Sequence, residues 1–349
     1  MLTIKRRRII FIISVAIFLI VSVFIALYSQ GYTLDSNFRF SHKGGLYISI
    51  PFSDSEIFVN NKREKATGLL NRGIFLSNLT AGKYSVLVAK DGFWPWAKTL
   101  EVKEGIVTEA SVFMVPDNPQ GKVLLKGKFL NMWASPHNDI LVLLEEKNEY
   151  YKLIFYDPEK DTFLTTKTIP SEDLLTFSKA DVKPLNWAKN QFVFRSDRNV
   201  VLVTFDLTNN TVTASYHTEL VNEISLYEKT DKKNLQKIWW DPSTNEIYID
   251  WLKETPPPYY LCADINICQL PVQILSSHLA VRNIDFIHGR RDIVMVAVGN
   301  GIYALEIDAR DNRLLYPIYK GKEPTFGLLS KENVVYILDN ESLIRVLLE

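Results

Sequence analysis

The chain opens on an unbroken apolar run and then changes to short segments with a two-residue period. Ile9 to Tyr28 is twenty residues without a charge, and Ser14 and Ser22 are its only plainly polar members. At about 1.5 Å rise per residue the run makes a helix of roughly 30 Å, the thickness of a bilayer's hydrocarbon core. Lys5, Arg6, Arg7 and Arg8 stand immediately before it, and no comparable cluster follows. This charge bias is a membrane topology signal. It predicts a single-pass anchor at 9–28, a cytoplasmic stub at 1–8 and an extracytoplasmic remainder. The rival is a cleaved signal peptide, whose apolar core is shorter, roughly 7–15 residues. Ser29-Gln30-Gly31 is a weak small-x-small site for such cleavage.

Residues 29–44 read as a short tether. From Leu46 the pattern predicts strands at Leu46–Ile50, Glu56–Val59, Gly73–Leu76, Tyr84–Val88, Thr99–Val102 and Val107–Met114. Pro51, Asn60-Asn61, Leu79 to Gly82 and Lys90-Asp91-Gly92 punctuate them. The density of short strands over residues 45–116 predicts a small β-sandwich. Trp94 and Trp96 alternate and are read as sharing one strand face, for packing or for a sugar ring. Pro116 to Gly121, with two prolines and a glycine, is the best domain boundary in the chain.

Several of these turns are specific enough to compare. Ser49-Ile50-Pro51, Leu79-Thr80-Ala81-Gly82-Lys83-Tyr84 and Gly92-Phe93 resemble the PEGA domain, with its Ser-x-Pro start, Leu-x-x-Gly-x-Tyr/His turn and Gly-Tyr strand start. The sequence departs from that family at its Glu-Gly-Ala, where it has Phe52 to Glu56, and Asn61 replaces a turn glycine. The resemblance implies a surface-exposed β module of an envelope protein, and it carries no catalytic residue with it.

Residues 121–349 repeat. Trp133-Ala134-Ser135-Pro136-His137-Asn138-Asp139 leads into Ile140–Leu144 and then Tyr151–Asp157. Trp187 leads into Phe192–Phe194 and Val200–Asp206. Trp239-Trp240 leads into Ile247–Ile249 and Tyr259–Ala263 with Asp264. Phe286 leads into Ile293–Val298 and Gly301–Asp308, and Phe326 into Val334–Leu338 and Leu343–Leu347. The aromatic starts lie 54, 53, 46 and 40 residues apart, the period of propeller blades. One such sheet has two apolar faces and buries them only by stacking on its neighbours. The aromatics are expected to fill the space between blades, and the aspartates to accept backbone N–H groups at the turn into each fourth strand. The repeat resembles WD40-like and TolB-like propellers, residues 133–139 matching their turn most closely. The expected fold class is all-β: an N-terminal transmembrane helix, a small sandwich, then a β-propeller of about five blades, a divergent sixth being left open, with the segment Lys122–Phe129 helping to close the ring.

Charge narrows the partners. Lysine plus arginine and aspartate plus glutamate both total 40; without the four basic residues before the anchor the balance is 36 against 40, or −4. That argues against nucleic acid, which calls for a basic face. Cys262 and Cys268 would face each other if Asp264-Ile265-Asn266 turns a hairpin; a disulfide and two buried free thiols are both open, and an oxidising compartment favours the disulfide.

Candidate chemistry is sparse. The five histidines, His42, His137, His217, His278 and His288, have no metal-ligand spacing, and no Gly-x-Ser-x-Gly occurs. Asp308 to Asn312 reads as a turn and not a calcium loop. Pro256-Pro257-Pro258-Tyr259 reads as a stiff loop and not a WW ligand. No catalytic, metal or cofactor-binding residue is expected. The chain is read as a binding or scaffolding protein of the envelope whose partner is an envelope protein or a cell-surface glycan. Loop residues such as Asp197-Arg198 or Arg290-Arg291 would be near the site. The alternative is a propeller-type glycan hydrolase or lyase, which needs two convergent carboxylates.

Overall fold

The computed structural model describes all residues except 1–3, 30–31, 35–39, 65–67, 69–71, 168, 197–198, 218–226, 263–267, 332 and 349. Helix α1 spans Ile4–Ser29, and within it Arg8–Ser29 is long and apolar enough to cross a membrane. Its apolar side chains are exposed along the whole run, Phe11 by 70% and Phe18 by 68%. The helix starts one turn earlier than the apolar run, so Lys5, Arg6, Arg7 and Arg8 are helical and not a free stub. Lysine and arginine are good helix formers, and a helix already nucleated over twenty residues extends through them readily.

The chain divides into two compact units, residues 1–91 with 95–113, and residues 92–94 with 114–349. In the first, the stretch expected to be a plain tether pairs with itself: β1 (Tyr32–Leu34) runs antiparallel to β2 (Phe40–His42), and Tyr32 stacks on His42 with ring centroids 4.6 Å apart. Seven further strands follow: β3 (Gly44–Ser49), β4 (Glu56–Val59), β5 (Lys62–Arg63), β6 (Gly73–Leu79), β7 (Gly82–Ala89), β8 (Trp96–Val102) and β9 (Val107–Ser111). They form sheets in the orders β6-β3-β9 and β5-β4-β7-β8. The period-2 pattern explains the core. Leu46 and Ile48 of β3, Ile57 and Val59 of β4, Val86 and Val88 of β7, and Leu100 and Val102 of β8 are all buried. The β4–β5 turn has Asn60 and Asn61 at φ of 49° and 63°, the left-handed pair that a tight hairpin of primed type requires. Trp96 is fully buried, whereas Trp94 is 41% exposed. Trp94 precedes the start of β8, so strand alternation does not apply to it and the two indoles do not share a strand face.

In the second unit five antiparallel sheets form five blades. Blade 1 runs Phe129–Ala134, Leu141–Glu146, Tyr151–Asp157 and Thr162–Phe163 from the inside outwards. Blade 2 runs Val182–Ala188, Gln191–Ser196, Asn199–Asp206 and Thr211–Tyr216; blade 3 runs Glu228–Thr230, Gln236–Asp241, Glu246–Trp251 and Val272–Ser276. Blade 4 runs Val281–Phe286, Ile293–Val298, Gly301–Glu306 and Leu315–Lys320. Blade 5 takes Thr325–Gly327, Val334–Asp339 and Ser342–Leu347 from the end of the chain and completes itself with Gly121–Lys126 from the start of the unit. That last pairing, with Lys122 opposite Arg345, closes the ring.

In blades 1, 4 and 5 the second strand is sandwiched between neighbours, which is why it reads as a near-continuous apolar run, whereas that of blade 3, Gln-Lys-Ile-Trp-Trp-Asp, alternates. In blade 1, Leu141 and Leu143 point towards blade 5 and pack with Tyr336 and Leu343, while Ile140, Val142 and Leu144 point towards blade 2 and pack with Phe192 and Phe194. Blades 3 and 4 meet through Ile238, Ile247 and Ile249 against Ile284, Val294 and Val296.

Aspartates close three of the third strands as expected, Asp157 and Asp206 as the last strand residue and Asp308 two residues beyond Gly301–Glu306. The Asp157 carboxylate accepts from the N–H of Glu159 and Lys160, Asp206 from Asn209, and Asp308 from Arg310. The third repeat was out of phase. Trp239 and Trp240 lie on the second strand of blade 3, Ile247–Ile249 on its third, and Tyr259 to Leu261 form a turn, not a strand. The innermost strand of that blade is only Glu-Lys-Thr, too short and polar to be seen beside a tryptophan pair. Asp264 and the Asp264–Asn266 turn lie outside the described residues.

Cys262 and Cys268 are joined by a disulfide with their Cα atoms 5.5 Å apart. It sits where the long connection between the third and fourth strands of blade 3 packs into the core shared with blade 4, Leu261 and Cys262 being buried there. On the same connection Tyr259 lies under the Arg310 guanidinium, 4.5 Å from its ring centroid, and Tyr260 donates to Gln236 Oε1. Burial pushes the Tyr260 phenol up to about 12. Reducing this bridge should lower unfolding free energy by about 2 kcal/mol, the loop-closure contribution of so short a ring. Urea unfolding with and without reductant, and of Cys262→Ser/Cys268→Ser, checks it.

Candidate functional site

The innermost strands of all five blades converge on one cavity of about 450 Å³. Small-molecule sites are roughly 300–1,000 Å³, so this one has room for a ligand of a few rings. Blade packing leaves it open. Strands stacked around an axis bury their faces against neighbours but leave their inner edges surrounding a hub. The crowding at that hub is visible at Gly327 of blade 5, where a Cβ would meet the Ala134 Cβ of blade 1 at 3.0 Å.

One side of the wall is aromatic. Trp133 of blade 1 and Trp187 of blade 2 both line the cavity and are half-buried. Trp187 is held by stacking on Phe192, centroids 4.2 Å apart. In blade 3 Tyr227 and Trp240 take this place, meeting edge to face at 5.0 Å. The out-of-phase tryptophan therefore still reaches the hub, from the second strand, beside a first strand too short to supply one.

The other side is charged: Lys229 of blade 3, Arg282 and Asp285 of blade 4, and Glu323 before the first strand of blade 5. Among the described residues none of these four is in an ion pair. The contrast with the same blade is clear, since Arg290 pairs with Asp292 at 2.6 Å and Arg310 with Asp308 at 2.7 Å. Arg282 is the extra residue of a β-bulge, the register slipping between Val281 and Asn283. The innermost strands of blades 1 and 2 slip in the same way at Leu130 and Leu185. A bulge re-aims the side chain it carries, and in blade 4 that side chain is a cation. Its Nε donates to the Pro324 carbonyl at 3.0 Å, while Nη2 is buried with no partner. Burial lowers its pKa, against the opposing pull of Glu323 and Asp339.

Among the described residues Asp285 accepts only from the Phe286 N–H, at 2.8 Å. Desolvation raises its carboxyl above the usual range, against the opposing influence of Lys229 and of His288. By area it is only half-buried, because it opens onto the cavity. The depth of protein around the hub is what sets its electrostatics. Glu323 is exposed at the rim, on a loop pinned by Asp339, whose carboxylate accepts from the N–H of Lys322 and Glu323.

The residues expected from sequence divide unevenly. Trp133, Trp187, Trp240 and Phe326, expected only to fill the space between blades, also line the hub, whereas Phe286 is buried in the core shared by blades 3 and 4. Arg290 and Arg291 are not among its lining residues, and Asp197-Arg198 lies outside the described residues. Lys229, Arg282, Asp285 and Glu323 were missed. No motif marks them, although Arg282 and Asp285 are charges on a strand whose Val281, Ile284 and Phe286 are buried, Val-Arg-Asn-Ile-Asp-Phe. Among the described residues no group of three histidine, cysteine, aspartate or glutamate side chains is placed to hold a metal.

No family model matches the chain, and no curated protein matches it. Solved structures similar to it are propellers at low identity. The β-propeller domain of Cps50 (Swd1) from Myceliophteria thermophila is 8% identical with a TM-score of 0.35, covering 76% of this chain and 93% of that one. An auxiliary nutrient binding protein from Bacteroides ovatus is 9% identical with a TM-score of 0.35, covering 88% and 98%. Hsv2p from Kluyveromyces lactis is 10% identical with a TM-score of 0.24, covering 73% and 68%. The propeller here rests on its own strand pairing.

Proposed function

We propose that this is a membrane-anchored, extracytoplasmic binding protein of a cell envelope, made of a PEGA-like sandwich and a propeller that takes a protein or glycan at its hub. The observation that carries the reading is the cavity itself: five blades built from segments far apart in sequence deliver aromatic rings to one side and, to the other, four charges that have no ion-pair partner among the described residues. A fold with no ligand to meet would pair those charges or replace them with apolar side chains. The apolar helix and the basic residues before it support the anchor and a cytoplasmic N-terminus. A second reading is favoured by one observation, that Asp285 and Glu323 both line the cavity. Two carboxylates are what a glycan hydrolase or lyase needs.

The full chain in detergent micelles, used as bait in solubilised envelope, tests both. Retention of a stoichiometric protein or of polysaccharide supports the binding reading, and capture of neither overturns it. Release of new reducing ends over time, abolished by Asp285→Asn or Glu323→Gln, would replace it with the enzyme.

A further inference from the structure

We propose that the hub cavity recognises a sugar bearing a carboxylate, a uronate-type ring, with the carboxylate taken by Arg282 and Lys229 and the ring set against Trp133 and Trp187. This rests on the binding reading above and narrows it to a ligand class. Arg282 supplies the first observation. A buried donor left without a partner costs free energy that a fold ordinarily avoids. Its Nη2 is such a donor, covered within the wall and not itself open to the cavity, on a guanidinium fixed through Nε and placed by a bulge beside the cavity, so a small turn of the fork would bring it to a ligand. A carboxylate is the acceptor whose geometry matches a guanidinium fork.

Lys229 supplies the second observation. It lines the same cavity from the neighbouring blade and has no hydrogen-bond or ion-pair partner among the described residues. Burial raises the carboxyl of the nearby Asp285, against the opposing influence of Lys229 itself. Lys229 and the Arg282 guanidinium line one cavity and can meet the two oxygens of a single carboxylate, while Asp285 and Glu323 can accept from ring hydroxyls.

Aromatic rings decide between a sugar and a peptide terminus. Indoles offer broad apolar faces to the C–H groups of a pyranose, with little conformational entropy to lose. A peptide terminus calls instead for free backbone donors and acceptors, and the Asn283 side chain is spent, its Nδ2 donating to Phe326 O and its Oδ1 accepting from Ile284 N–H.

Titration calorimetry on the full chain in micelles tests this with digalacturonate and diglucuronate, each beside its methyl ester, and a short peptide with a free C-terminal carboxylate. At least one acid should bind, with its ester weaker by about tenfold or more, the size of one charge-assisted hydrogen bond. Arg282→Gln and Lys229→Gln should each weaken the acid by about tenfold and leave the ester unchanged. If Arg282→Gln fails to fold, Lys229→Gln carries the test. Equal binding of acid and ester, indifference to both variants, or binding of neither acid overturns the proposal. Peptide binding in place of the acids also overturns it while leaving the binding reading intact, whereas an empty capture from envelope sinks that reading itself.

Discussion

Phe192→Ala should lower the unfolding free energy by about 3–5 kcal/mol, the range for removing a fully buried aromatic ring from a core that relaxes only in part. Phe192 has no exposed surface and sits in the cluster shared by blades 1 and 2. It supports the Trp187 indole at 4.2 Å and meets Phe194 at 5.6 Å, so truncation loses two ring contacts as well as apolar burial. Total stabilities are about 5–15 kcal/mol, so a substantial share would go with one side chain. Urea unfolding followed by tryptophan fluorescence reads it, and Phe192→Leu, which keeps most of the volume, should cost less than half as much. A loss below about 1 kcal/mol would show that the two blades do not share this core. Because Phe192 also backs a wall of the cavity, the alanine variant should weaken any ligand that uses Trp187.

What the sequence displayed and what it hid follow from the same geometry. Where a blade's second strand is buried on both faces, it appears as an apolar run such as Ile140–Leu144 or Ile293–Val298, and such runs can be counted. First strands line a hub and carry mixed residues; where one is long and aromatic, as at Trp133 or Trp187, the phase is right. In blade 3 it is three polar residues, and the phase slips by a strand. The outermost strand Gly121–Lys126 could be placed only loosely, because its pairing with Ser342–Leu347 joins segments more than two hundred residues apart. In the sandwich, alternation located the strands, but nothing local announces that β3 and β9 pair in parallel, Gly45 opposite Val107 and Ser49 opposite Ser111. The hub chemistry was least legible. Lys229, Arg282, Asp285 and Glu323 become neighbours only when the ring closes, and the bulge that aims Arg282 is a one-residue slip that periodicity cannot register.

Ring closure leads to the second large effect. Replacing residues 121–126 by a glycine-serine segment of equal length should destabilise the propeller more than any single core truncation. Gly121–Lys126 is mostly exposed, so little apolar area is at stake. Its contribution is the backbone ladder to Ser342–Leu347, from Gly121 opposite Val346 to Lys126 opposite Ser342. Without it, blade 5 presents a bare edge, and an exposed edge strand recruits other chains. It also unfastens the ring, because blade 5 is the only blade among the five assembled from both ends of the unit. Blades 1 and 5 would then be held mainly by side-chain packing, through Leu141, Leu143, Tyr336 and Leu343, with a few hydrogen bonds such as Gly127 N–H to the Glu341 carbonyl and Ser330 N–H to the Asp139 carboxylate. The expected result is a lower and broader thermal transition, aggregation on heating and early proteolysis within residues 325–347. Lys122→Gln with Lys126→Gln, which changes the exposed side chains but keeps the ladder, should leave the transition within about 0.5 kcal/mol of the parent. If the glycine-serine chain melted as the parent does, the blades would be held by face packing and the pairing of the two ends would be incidental.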